Sequence, residues 1–193
     1  LWRQSSVFIN RTYPINPITV GVATFDGLNK EGLAYAINMA NPQGDADTLL
    51  SQEIDLSAVD TAYFMFYFQP QGLGDNPQAE DSLMLEFKDS NGDWNVEWQM
   101  AGSTSQEFKK KVFLLKTADY LFATFQFRFR NKATLSGNFD HWHIDYVKLD
   151  EFVNPIDTSK LNDVSFVYGT PSFLKRYEQM PWAHFKNNEL AEM

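Results

Sequence analysis

The sequence predicts an all-β fold, a jelly-roll β-sandwich with a short helical connector at its C-terminal end. Three observations predict it. Aromatic residues make up 16% of the chain, with seventeen Phe, eight Tyr and five Trp, and such side chains suit a pleated, half-buried surface. Apolar residues alternate with polar ones in several short runs, the period of a strand. Gly, Pro, Asn and Asp punctuate these runs at the spacing of sandwich turns.

Residues 1–25 read as irregular up to Val20-Gly21-Val22-Ala23-Thr24-Phe25, a strand closed by the turn pair Asp26-Gly27. Residues 26–48, rich in Asn, Gly, Asp and Pro, read as a long loop, and long loops in compact domains are usually functional or pinned. Residues 48–51 and 54–56 enter a sheet. Residues 62–68 are apolar throughout, the mark of a strand buried on both faces. Residues 69–80 form a second long loop. Leu83, Leu85 and Phe87 alternate, Asn91-Gly92 marks a hairpin, and Trp94, Val96 and Trp98 alternate on the return strand. A strand follows at 109–115. Phe125, Phe127 and Phe129 face inward while Gln126, Arg128 and Arg130 face out.

The stretch 139–149 closes the sandwich. On a strand His141, His143 and Asp145 share one face, and Trp142, Ile144 and Tyr146 the other. Residues 1–150 are therefore read as one sandwich domain. Residues 151–193 are read as a connector to a further domain, with a short helix over 171–179 that Pro171 opens. The chain starts at Leu1 without Met and is read as a piece cut from something longer.

Charge and composition exclude several functions. A formal net charge of −9 is the wrong sign for nucleic acid or an anionic membrane surface. The absence of cysteine removes thiol catalysis and thiolate zinc sites. No apolar run is long enough to span a bilayer as a helix.

Among candidate sites, Asp26, Asp45, Asp47 and Asp145 are hard oxygen donors on the long loop and the last strand, which a jelly roll brings close; they are the expected ligands of a structural calcium. His141 and His143 form a His-x-His pair that would suit a transition metal in a cupin-type enzyme; the alternative is that they hydrogen-bond loops at a sheet edge. Trp94, Trp98 and Trp142, with Tyr67, would stack on sugar rings if exposed, and fill the core if not. No serine triad motif, phosphate loop or paired glycosidase carboxylates appear, so a non-catalytic module is expected.

Two resemblances sharpen this. Asp47-Thr48-Leu49-Leu50-Ser51, Ile54-Asp55-Leu56-Ser57 and the closing Trp142-His143-Ile144-Asp145-Tyr146-Val147 resemble a MAM-like or cleaved-adhesin-like jelly roll, in which an acidic loop and the closing Asp help hold calcium. Gly21-Val22-Ala23-Thr24-Phe25-Asp26-Gly27-Leu28, Tyr67-Phe68-Gln69-Pro70-Gln71-Gly72-Leu73-Gly74, Phe127-Arg128-Phe129-Arg130-Asn131, the closing strand from Gly137, and Met180-Pro181-Trp182-Ala183-His184-Phe185 are similar to a group of large exported proteins of the Bacteroidota associated with type IX secretion or gliding. The resemblance implies a structural or protein-interaction module at the cell surface or outer membrane. Surface or secretion-machinery proteins are its implied partners. A carbohydrate-binding module taking a glycan is the alternative.

Overall fold

The computed structural model describes residues 1–40, 42–151, 174–175 and 179–187. Two five-stranded antiparallel sheets face each other as a jelly-roll sandwich. One runs β1 (Trp2–Ser5), β4 (Gln43–Ser51), β9 (Gln126–Thr134), β6 (Ser82–Lys88), β7 (Trp94–Ala101) in spatial order. The other runs β2 (Phe8–Asn10), β3 (Val22–Phe25), β10 (Trp142–Asp150), β5 (Ala62–Pro70), β8 (Lys109–Leu115). They are called the β6 sheet and the β5 sheet below.

The core forms because the alternating Phe residues of each sheet meet between the layers. Phe64, Phe66 and Phe68 of β5 oppose Leu83, Leu85 and Phe87 of β6 and Phe127 and Phe129 of β9. Phe64 meets Phe127 edge-on at 4.6 Å, and Phe66 meets Phe129 at 4.9 Å. That geometry suits the aromatic quadrupole and adds about 0.5–1.5 kcal/mol per pair beyond area burial.

Two short strands lie in the region expected to be irregular. β1 pairs with β4, and β2 with β3. Their side chains are mostly exposed, so they lack the alternation that announces a strand. The first long loop is shorter than its composition suggests, because β4 already begins at Gln43. The Asn91-Gly92 hairpin is present, with Gly92 at φ +94° as such a turn requires.

Beta-bulges separate side chains that simple alternation would group. In β7 the register slips so that Val96 opposes Glu86 while Trp98 opposes Leu85. Trp94 consequently faces outward and Trp98 inward. In β4 the slip between Asp45 and Thr48 turns Asp45 outward and Asp47 inward. A third bulge lies between Asp145 and Lys148 of β10. One extra residue on one strand reverses the parity of everything beyond it.

At the C-terminal end a single helical turn, α1 (Trp182–Phe185), follows Pro181. Most of the helix expected over 171–179 lies outside the described residues. No described helix is long and apolar enough to cross a membrane.

Candidate functional site

The outward side of the β5 sheet is divided into two parts. Residues 11–20 lie across one part, and β5 and the closing strand β10 supply the acceptors that hold them. Gln69 accepts from the Ile15 N–H at 2.8 Å and donates to the Ile15 carbonyl at 3.0 Å. The Asp145 carboxylate accepts from the N–H groups of Ile18 and Thr19, at 2.7 and 2.8 Å, and from the Thr19 hydroxyl at 2.6 Å. Asp145 is thereby buried in donors contributed by a loop, as its place beside that loop requires.

Both histidines are fixed in the same way, and their neighbours define their tautomers. The His143 Nε2 lies 3.1 Å from the Gln71 carbonyl, which only accepts, so Nε2 carries the proton. Its Nδ1 then accepts from the Thr24 hydroxyl at 2.9 Å, while Thr24 accepts from the Asn10 amide at 2.7 Å. Burial pushes the His143 pKa down to about 4, so the ring stays neutral. His141 Nδ1 accepts from the Asp75 N–H at 2.8 Å, and burial lowers its pKa too. The rings hold loop backbone, and His143 has both nitrogens engaged within the chain. Neither presents the open pair that a cupin-type metal site uses.

Three ranks of side chains cross the outward side of the β5 sheet, and among them Asp145 and Met65 are buried. Register places Lys110, Tyr67 and Asp145 in one, Val112, Met65 and Lys148 in the next, and Leu114, Tyr63 and Asp150 in the third. Val112 is 38% exposed and Leu114 47%. Tyr67 and Tyr146 are half-buried and meet edge to face, with ring centres 6.4 Å apart at 80°. Tyr146 sits at the β10 bulge with φ +49°, an uncommon backbone for a bulky residue. Its N–H is bonded at 2.7 Å to the Asp145 carboxylate.

The four acids expected to bind calcium are distributed over three places. Asp26 and Asp47 meet: the Asp26 N–H donates to Asp47 at 2.9 Å, and Asn131 bridges them by accepting from the Asp47 N–H and donating to the Asp26 carbonyl. This clip ties the end of β3 to β4 and β9, joining the two sheets. Gly27 fits beside it because a Cβ would come within 2.2 Å of the Thr134 carbonyl oxygen. Burial pushes Asp26 up to about 6 and Asp47 to about 7, and the charge of Asp26 adds to the effect on Asp47. Asp45 instead lies exposed on the outside of the β6 sheet, 2.9 Å from Arg130. Asp145 belongs to the loop anchor already described.

Asp47 has its two carboxylate oxygens occupied by the Asp26 N–H and the Tyr35 hydroxyl. Among the described residues no three His, Asp or Glu side chains are grouped to hold a metal. The expected quartet therefore does not fit a single calcium shell, which takes about six to eight oxygens.

The tryptophans also divide. Trp142 is wholly buried, and Trp98 packs against Phe66 and Phe68 at 5.3 and 4.8 Å. Trp94 faces outward beneath the guanidinium of Arg128, 4.1 Å from its ring centre. They form no common sugar platform. Tyr146, Lys148 and Val112 were not legible as site residues, since a bulge and a sheet edge leave no periodic signal. Tyr67 was legible as a stacking candidate on a strand expected to be buried on both faces, and it is half-buried.

No protein-family model matches this sequence, and no curated protein matches it. Solved structures do resemble it in strand arrangement. A cleaved adhesin domain of Lys-gingipain from Porphyromonas gingivalis is 13% identical, with a TM-score of 0.41, over 67% of this chain and 73% of that one. The xylan-binding family 22 carbohydrate-binding module from Paenibacillus barcinonensis is 10% identical, with a TM-score of 0.41, over 78% and 83%. A family 6 carbohydrate-binding module of a laminarinase from Zobellia galactanivorans is 11% identical, with a TM-score of 0.38, over 78% and 93%.

Proposed function

We propose that this chain is a non-catalytic protein-interaction module of a larger exported cell-surface protein, and that the outward side of the β5 sheet around Val112, Leu114, Tyr67 and Tyr146 is its docking face. One observation carries the reading. Tyr146 is held beside Tyr67 in a left-handed backbone conformation that costs free energy, and the Asp145 carboxylate fixes it there. Local strain of this kind persists where the surroundings over-determine it, and it concentrates at binding surfaces. Tyr is among the residues enriched at protein interfaces, because it offers a large apolar area at low entropic cost.

The chemistry of the face points to the partner. Val112 and Leu114 give an apolar strip, and Lys110 and Lys148 stand on the same side of the sheet, Lys148 paired with Asp150 at 3.1 Å, on a chain whose net charge is −9. An acidic protein surface with an apolar centre is the complement. Surface and secretion-machinery proteins, including those of type IX secretion or gliding, belong to this proposal as partners through the sequence resemblance.

A carbohydrate-binding module is the second reading, favoured by the same two tyrosines. The 80° angle between them argues for the protein partner, since a sugar platform needs ring faces that lie alongside one another. The test is a photo-crosslinking residue at Val112, compared with one at Val96 on the opposite sheet, in cells carrying the parent protein. A protein crosslinked from position 112 and lost on Lys148→Glu supports the docking face. Equal crosslinking from both positions overturns it. Glycan-array binding lost on Tyr67→Ala transfers the site to the second reading.

A further inference from the structure

We propose that Asp81 and Asp140, where the 71–81 loop meets the 135–141 loop, hold a hard divalent cation of the calcium class. The two loops are joined by backbone. The Gln71 N–H donates to the His141 carbonyl at 2.8 Å, and the His141 N–H to the Asp75 carbonyl at 3.1 Å. Each acid is wholly buried and spends one oxygen on its own loop. Asp81 Oδ2 accepts from the Gln78 N–H at 2.7 Å, and Asp140 Oδ2 accepts from the Thr134 N–H at 2.7 Å. The second oxygen of each has no hydrogen-bond partner.

These orphans are not scattered. Among the described residues, five buried side-chain polar atoms lack a partner: Asn76 Oδ1, Asp81 Oδ1, Asp140 Oδ1, His141 Nε2 and Trp142 Nε1. All five belong to this junction or to the residue next to it. Buried polar groups in native proteins are almost always satisfied, so such a concentration calls for an ion or a solvent molecule. The three acceptors are all hard oxygens. The charge of Asp140 acts on Asp81, and the Gln43 side chain acts on it in the opposite sense, while two ionised carboxylates cannot bond to each other.

The character of the donors selects the cation. His141 Nδ1 accepts from the Asp75 N–H, so the neutral ring carries its proton on Nε2 and has no free lone pair there, and with no cysteine the lone pairs on offer belong to oxygen. No three acidic or His side chains are grouped here, so a bound cation would take two carboxylates and fill the rest of its shell with neutral oxygens and water. An open pocket of about 390 Å³, bordered by Gln43, Asp75, Glu80, Ser136 and Asp140, reaches the Asp140 side of the pair. The cation would pin the two loops that also carry the histidine anchors. Asp140 has φ +58°, a conformation that Asp tolerates better than most residues.

The alternative to a cation is a shared proton, and burial together with Asp140 pushes Asp81 up to about 6. Calorimetric titration of the chelator-treated chain with calcium chloride at pH 7.5 separates the two. Expected is one equivalent bound by the natural chain and by Asp26→Asn, with affinity at least tenfold weaker in Asp81→Asn and Asp140→Asn. Absence of binding to the natural chain overturns the proposal. So does binding that is lost in Asp26→Asn and kept in Asp81→Asn. Asn at position 81 keeps an acceptor for Gln78 and adds a donor toward Asp140. A direct readout needs no variant: terbium bound near Trp142 is expected to show sensitised emission that calcium displaces, and its absence also counts against the site.

Discussion

The Asp145 carboxylate accepts a hydrogen bond from the N–H of Tyr146, the next residue, while gripping Ile18 and Thr19 with the same two oxygens. One side chain thus sets a left-handed residue and holds a loop. Asp145→Ala is expected to cost about 2–4 kcal/mol, because four donors lose their acceptor in a buried setting. Asp93→Ala, in an exposed hairpin position, is expected to stay within about 0.5 kcal/mol of the natural chain. Urea denaturation measures both, and equal midpoints would sink the assignment.

Two glycines are set by close approach. A Cβ at Gly102 would lie 1.8 Å from the Gln78 carbonyl oxygen, and one at Gly27 2.2 Å from that of Thr134. Backbone cannot yield cheaply, so Ala at either position is expected to destabilise by more than about 3 kcal/mol. Gly32→Ala meets open space and pays only for its φ of +75°, roughly 1–2 kcal/mol. Thermal melts that rank Gly32→Ala as the most damaging would contradict this.

Glu86 is buried on the outer side of the β6 sheet between Arg128 and Arg130, at 2.5 and 2.9 Å. Burial works to raise its pKa, but the hydrogen bonds and charges of the two arginines outweigh it and leave it lowered. Glu86→Gln is expected to cost about 2–4 kcal/mol, since Arg128 loses its counter-charge and Arg130 keeps only the exposed Asp45. The measurement is the denaturation midpoint, at low salt and at high salt. A variant as stable as the natural chain would show that the arginines are solvated without it.

Stability should rise as pH falls from 8 to about 6.5 in the presence of chelator. Asp47 in the folded chain is pushed up to about 7 from 3.8. The native state therefore takes up a proton in this window while the unfolded chain stays ionised. His143 works in the opposite sense as the pH falls towards and below 6.5, because it stays neutral to about 4 when folded and protonates near 6.5 when unfolded. The net gain from pH 8 to 6.5 is about 0.5 kcal/mol, readable by chemical denaturation at the two values. A steady loss over that interval would mean that the Asp26–Asp47 clip is ionised in the folded chain.

The sandwich was legible because its core strands obey their periods: Phe125, Phe127 and Phe129 point inward, and β5 contributes Phe64, Phe66 and Phe68. The site was less so. Asp45 and Asp47, or Trp94 and Trp98, share a face only on an unbroken strand, and the bulges in β4 and β7 divide both pairs. A bulge is a matter of pairing between strands distant in sequence, which no local pattern records. The histidine row was legible as a loop anchor. Its acceptor and donor partners, from Thr24 to Asp75, come from other parts of the chain. Short β1 and β2 earn their place by pairing alone, with little buried surface to betray them.

The β5 sheet ends at β8, whose first three residues are Lys109, Lys110 and Lys111. Consecutive positive charges on an outermost strand oppose the approach of a like strand from another molecule. If copies of this module are strung together, or crowded at high density, they are electrostatically kept from zipping into a continuous ribbon. The surface proposed to recruit a partner through its side chains is thus guarded against self-templated growth through its backbone.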